Sequence, residues 1–152
     1  MESLINLGVF VFLLALGYLA GHAAEKKHYA SIIAREKETL NLPAVTIRHV
    51  EDEEMVESAW LVSGSVCVGL DYFKMVLANL RKIFGGRVGA YETLVDRARR
   101  EATLRMKKQA AGADIVLNTR YETSSIGQNA GGKNAVGAVE VLAYGTAVIY
   151  KK

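Results

Sequence analysis

The least mixed stretch of polarity lies at the start of the chain. Residues 4–24 read LINLGVFVFLLALGYLAGHAA, an apolar run broken only by Asn6 and His22 that covers every face of a helix. At 1.5 Å per residue, about 20 such residues cross the roughly 30 Å hydrocarbon core of a bilayer. A core helix of a soluble domain would keep its apolar residues on one stripe. A secretory signal would open with a positive segment, and here only Met-Glu-Ser precedes the run. The pattern predicts a single uncleaved transmembrane helix over residues 1–24.

Polarity then becomes periodic. In EKKHYASIIAREKETLNLP, residues Tyr29, Ile32, Ile33 and Leu40 recur at three- and four-residue spacing up to Pro43. This predicts a helical stalk over 25–43, able to continue the span as one rod of roughly 55 Å. Its apolar stripe is one that a lone exposed helix would not need, which favours self-association. Beyond it, AVTIRHV (44–50) alternates as a strand, EDEE (51–54) reads as a solvated turn, and AWLVSGSVCVG (59–69) is a second strand. Phe73, Val76, Leu77, Leu80, Ile83 and Phe84 trace one face of a helix that Asp71 caps and Gly85-Gly86 stops. A second helix runs over about 90–111, with Tyr91, Val95, Ala98, Ala102 and Met106 on its apolar side. Residues 113–125 and 135–152 form the remaining strands, joined by IGQNAGGKNA as a hairpin connection. The expectation is an α+β domain over 44–152, preceded by one transmembrane helix and a helical stalk.

Charge adds an orientation. Lys26, Lys27, Arg35 and Lys37 follow the span, whereas only Glu2 and the α-amino group precede it. The positive-inside rule puts the N-terminus outside a bacterial inner membrane and the C-terminal domain in the cytoplasm. The single Cys67 rules out an intramolecular disulfide and, flanked by valines, reads as a small buried hydrophobe in a reducing compartment. Gly17 and Gly21, continued by Ala20 and Ala24, put small residues four apart, a spacing that lets membrane helices pack, although such residues are common in spans generally.

Candidate chemistry narrows quickly. From Gly127 to Lys133 the spacing is G-x-x-x-x-G-K, the opening of a phosphate-binding loop. Asn134 replaces the hydroxyl that would hold Mg²⁺, and a strand rather than a helix follows, so the match reads as a hairpin tip. Cys67, His22, His28 and His49 show no metal-ligand spacing. Arg97, Arg99, Arg100, Arg105, Lys107 and Lys108 could contact phosphate or RNA. Asp96 and Glu101 at i,i+4 and the lack of interleaved aromatics instead favour a solvated ion-pair face and no nucleic acid partner. No nucleophile or acid/base pair stands out, so no enzyme is expected.

Four stretches carry a resemblance to a family. They are VSGSVCVG (62–69), GGRVGAYE (85–92), AAGADIVLNTRYET (110–123) and GTAV (145–148). In order and spacing, residues 59–152 resemble the YbjQ-like family, whose domain is labelled heavy-metal-binding. The resemblance implies a small α+β unit with strands flanking two helices, and ring-forming homo-oligomers, commonly pentamers. It singles out Gly85, Gly86, Arg87, Gly89, Ala90, Tyr91 and Glu92 as a helix–helix corner or a ligand niche. It further matches Gly112, Ala113, Asp114, Tyr121, Glu122, Gly145 and Thr146. Heavy metal is the one cofactor the label suggests, but Arg120 stands where the family usually has Asp, with no Cys or His in compensation. The combined expectation is a membrane-anchored ring or scaffold whose partners are itself, the bilayer and other membrane proteins. The alternative is a binding module that holds metal or a small molecule between subunits.

Overall fold

The computed structural model describes residues 1–50, 53–69, 89–126 and 138–151. Helix α1 (Glu2–Glu38) passes through residues 24 and 25 without a break. It stops short of Pro43, at Thr39, whose backbone N–H and hydroxyl both bond to the carbonyls of Arg35 and Glu36. A side chain that closes the last turn in this way competes with continuation of the helix. In the first part of α1, Phe10, Leu13 and Leu16 are all more than half exposed. At Gly17 an added Cβ would meet nothing within 4 Å.

After a 3₁₀ turn at Glu53–Met55 come β1 (Val56–Gly69), α2 (Gly89–Gln109), β2 (Ile115–Ile126) and β3 (Ala138–Tyr150). The strands form one antiparallel sheet in the order β1-β3-β2. Helix α2 lies on one face, so the fold is α+β, as the pattern predicts. Leu94, Ala98, Ala102, Met106 and Ala110 recur every fourth residue and are buried against Val62, Val66, Val139, Val141 and Ala143. Gly64 sits directly beneath the helix. A Cβ there would run into the Ala102 carbonyl and the Met106 nitrogen. The small residues on both elements thus set how closely helix and sheet approach.

A bulge shapes the other end of the sheet. Leu117 faces Thr146 and Arg120 faces Tyr144, leaving Asn118 and Thr119 opposite Gly145 alone. Asn118 takes φ 51°, in the left-handed region that Asn tolerates better than most residues. Gly145 accommodates the crowding, since a Cβ there would fall 2.8 Å from Val116 Cγ1 and 2.9 Å from the Leu117 carbonyl.

Two expectations change here. The strand expected at 44–50 is reduced to one parallel bridge, Ala44 to Val116. Its backbone still follows β2 through Val116 N–H to Pro43 O, Val45 N–H to Val116 O, Thr119 N–H to Val45 O and Asn118 N–H to Ile47 O. The bulge carries β2 out of register with this segment, so no regular ladder continues. Cys67 is exposed rather than buried. In β1 the positions turned to α2 are Val62, Gly64 and Val66, and period-two alternation puts Cys67 on the opposite face. The helix expected over 71–84 and the phosphate-loop match at 127–133 lie outside the described residues.

Candidate functional site

The distal turns of α1 lie along α2, and the contact is built from two copies of one dipeptide. Arg35-Glu36 on α1 meets Arg100-Glu101 on α2 crosswise. Arg35 donates to both oxygens of Glu101 at 3.2 and 2.5 Å. Arg100 donates to both oxygens of Glu36 at 2.8 and 2.6 Å. Paired fork contacts of this kind fix orientation as well as supplying attraction. Glu101 is only 5% exposed and also accepts from Arg105 Nε at 3.1 Å, with His28 Nε2 at 3.8 Å. The hydrogen bond from Arg35 is the main reason its carboxyl titrates below the ordinary range, with Arg105 adding to it against the effect of burial. Arg100 holds Glu36 down in the same way. Around this centre, the Tyr29 hydroxyl donates to the Thr93 carbonyl, Arg97 approaches Glu25 at 4.0 Å, and Lys107 Nζ donates to the Thr39 carbonyl.

This geometry revises the reading of the basic face. Asp96–Arg100 and Glu101–Arg105 do pair at i,i+4, but Arg97 turns to Glu25 instead of Glu101. The chain's own stalk therefore covers part of the face, at Arg97, Arg100 and Lys107, while Arg99, Arg105 and Lys108 stay exposed to solvent. Ile32 is fully buried, which accounts within one chain for part of the stripe that favours self-association. Leu40 and Ile33 remain exposed. The one sequence feature at this contact is the repeated Arg-Glu pair, which by itself does not say that the two helices meet.

Two clefts flank the Lys107–Thr39 bond. One, of about 720 Å³, is edged by Arg35, Arg105, Lys107 and Lys108 and closes on Gly112 and Ala113. The other, of about 530 Å³, is lined by Glu36, Arg99, Arg100, Thr103, Lys107 and Tyr121, among others. Tyr121 and Thr103 share a hydrogen bond of 3.0 Å between their hydroxyls. Burial pushes the Lys107 ammonium below its ordinary pKa, against the pull of Glu36.

The residues singled out by the resemblance do not form one cluster. Gly85, Gly86 and Arg87 lie outside the described residues, while Gly89, Ala90 and Tyr91 open α2 and Glu92 is exposed on its first turn. Gly112, at φ 88°, reverses the chain after α2. Asp114 accepts the Tyr150 N–H at 2.9 Å, tying the end of β3 to the start of β2. Gly145 faces the bulge and its neighbour Thr146 pairs with Leu117, whereas Glu122 projects into solvent. Of the whole set, Gly112, Ala113 and Tyr121 reach the clefts.

Among the described residues, no three of His, Cys, Asp and Glu come together as a metal would require. Cys67 stands opposite Glu140 on the exposed sheet face, and the carboxylate nearest His28 is occupied by two arginines. Those donors do not fit a heavy-metal site within one chain.

The YbjQ family model, described as "Putative heavy-metal-binding", matches residues 42–151. A UPF0145 protein of Hahella chejuensis is 38% identical over 105 residues, which cover 68% of this chain and 93% of that one. A UPF0145 protein of Clostridium novyi is 41% identical over 95 residues, 61% of this chain and 84% of that one. A crystal structure of a protein with unknown function from Pediococcus pentosaceus, placed in the DUF74 family, aligns with a TM-score of 0.47 at 16% identity, covering 72% of this chain and 98% of that one.

Proposed function

This chain belongs to the YbjQ (UPF0145) family, and from that premise we propose that it is a membrane-anchored assembly module that acts by holding copies of itself together rather than by catalysis. One observation carries the reading: α1 is a single helix whose exposed apolar start is continuous with a segment clamped to α2 by reciprocal Arg–Glu pairs. A flexible tether would leave the domain free to tumble under the membrane. A helix gripped in this way fixes the domain's orientation to the bilayer and would align the spans of a ring around one axis. Tethering in a ring raises the local concentration of the spans, so weak contact at Gly17 and Gly21 would suffice to pair them. In this reading the protein sits in a bacterial inner membrane with its N-terminus outside, and its partners are further copies in a ring, with a pentamer as the expected size, and other membrane proteins.

The test is alkaline carbonate extraction of membranes from cells expressing the full chain, followed by mass measurement in detergent. Retention in the membrane and one discrete multiple of the 16.5 kDa chain are expected. Release by carbonate would refute the anchor, and a clean monomer would refute the ring.

A further inference from the structure

The cleft beside Lys107 is more cationic than the scaffold around it requires. Among the described residues Glu36 is the one carboxylate lining it, and both of its oxygens are engaged by Arg100 at 2.8 and 2.6 Å. Arg99 and Lys107 are then left, among the described residues, with no carboxylate in salt-bridge contact. The Lys107 ammonium has the Thr39 carbonyl as its acceptor at 3.1 Å, which leaves two of its three N–H groups available. The pull of Glu36, itself engaged by Arg100, does not offset the burial of this ammonium, and an anion delivered from solution would relieve it.

Apolar surface lines the same cleft. The Thr103 hydroxyl donates to the Arg99 carbonyl at 2.8 Å, so in the 3.0 Å contact the Tyr121 hydroxyl is the donor. That bond holds the Tyr121 ring, which is 40% exposed, against the cleft. Leu40, 72% exposed, supplies a second apolar surface from the end of the stalk. Cations together with an aromatic and a leucine in one cleft suit a ligand with a charged head and an apolar body. A cleft of about 530 Å³ is of the size that takes small molecules.

We propose that this cleft, with Arg99 and Lys107 as its anion-binding groups and Tyr121 as its apolar wall, binds a small organic anion carrying a phosphate or carboxylate head. Two uncommitted cations are too few for a nucleic-acid backbone, which calls for an extended basic stripe. A lipid headgroup is also out of reach. Glu36 lies 12 residues beyond Ala24, roughly 18 Å along an α-helix, whereas the headgroup layer is only about 5–8 Å thick. That exclusion of lipid rests on the membrane reading, but binding of a soluble anion does not.

The test uses the full chain in uncharged detergent micelles and three probes followed by titration calorimetry: phenyl phosphate, inorganic phosphate and phenol. Phenyl phosphate should bind with Kd on the order of 1 mM or tighter, inorganic phosphate more weakly, and phenol not measurably. Arg99→Glu should weaken phenyl phosphate about tenfold or more, as loss of a charge-assisted contact predicts. Arg48→Glu makes the same change in net charge on exposed backbone outside the cleft, and should alter binding by no more than about twofold. Failure of phenyl phosphate to bind would overturn the proposal, as would equal losses in the two variants. Phosphate binding as tightly as phenyl phosphate would overturn the role of Tyr121. A protein released from membranes by carbonate but still sensitive to Arg99→Glu would separate this site from the anchor.

Discussion

Gly64→Ala is the most direct test of how helix and sheet fit together. The new Cβ would lie under 3.0 Å from the Ala102 carbonyl oxygen, the Met106 nitrogen and the Arg105 Cβ, and two of those atoms are backbone of α2. A flexible side chain could swing away, but helix backbone cannot, so α2 must lift by about 1 Å to restore ordinary contact. The lift separates Ala98, Ala102 and Met106, all fully buried, from the valines of β1 and β3. A gap of that size forfeits roughly a quarter to a half of each contact's dispersion energy, so overpacking should destabilise by about 3 kcal/mol, the upper part of the usual range. The control is Gly69→Ala on the same strand, where an added Cβ meets nothing within 4 Å and the change should stay within about 0.5 kcal/mol. Trp60, the single tryptophan, reaches the Gln109 carbonyl through Nε1 and therefore reports on the same contact. Guanidinium unfolding of the full chain in mild detergent, followed by Trp60 fluorescence, gives both values. Equal stability of the two variants would mean that α2 does not lie on Gly64, and the helix–sheet packing would be wrong.

Two further outcomes follow from single side chains. Glu101→Gln leaves Arg35 and Arg105 without their shared carboxylate. Because those two side chains are 37% and 53% exposed, the loss should be about 1–2 kcal/mol, below that of a fully buried pair. Its depressed carboxyl pKa means that this stability is present above the ordinary value of 4.5 and is lost as pH falls through the lower folded value. Acid unfolding should accordingly be less steep in Glu101→Gln, and an unchanged acid limb would remove Glu101 from the centre of the network. Cys67, exposed on the face turned away from α2, should react with a maleimide in the native protein at a rate within about tenfold of the unfolded chain. Protection that disappears on dissociation of an oligomer would mean that another copy covers this face.

What could be read from the sequence divides along one physical line. Signals carried by a single element were legible: the all-round apolar run of α1, the four-residue apolar spacing of α2, and the β-branched stretches of β1 and β3. Signals that exist only when two elements meet were not. Arg35-Glu36 and Arg100-Glu101 each look like ordinary surface charge, since solvated pairs of this kind are common and a sequence does not state which helices will touch. The bulge at Asn118–Thr119 is legible only opposite Gly145, because its extra residue is defined by the partner strand. Cys67 was misplaced for a different reason: valines on both sides of a cysteine suggest burial, yet in a strand adjacent residues occupy opposite faces, and buried Val66 itself puts Cys67 outside. The cleft beside Lys107 joins all of these. It needs Leu40 and Glu36 from the stalk, Arg99 and Lys107 from α2, and Tyr121 from β2. The basic residues of α2 lacked aromatics in their own segment, and the fold brings Tyr29 and Tyr121 to them from elsewhere, with Tyr29 stacked 5.8 Å from Arg100. A site assembled across three elements has no local spacing to recognise, so its chemistry emerges only once the fold has placed them together.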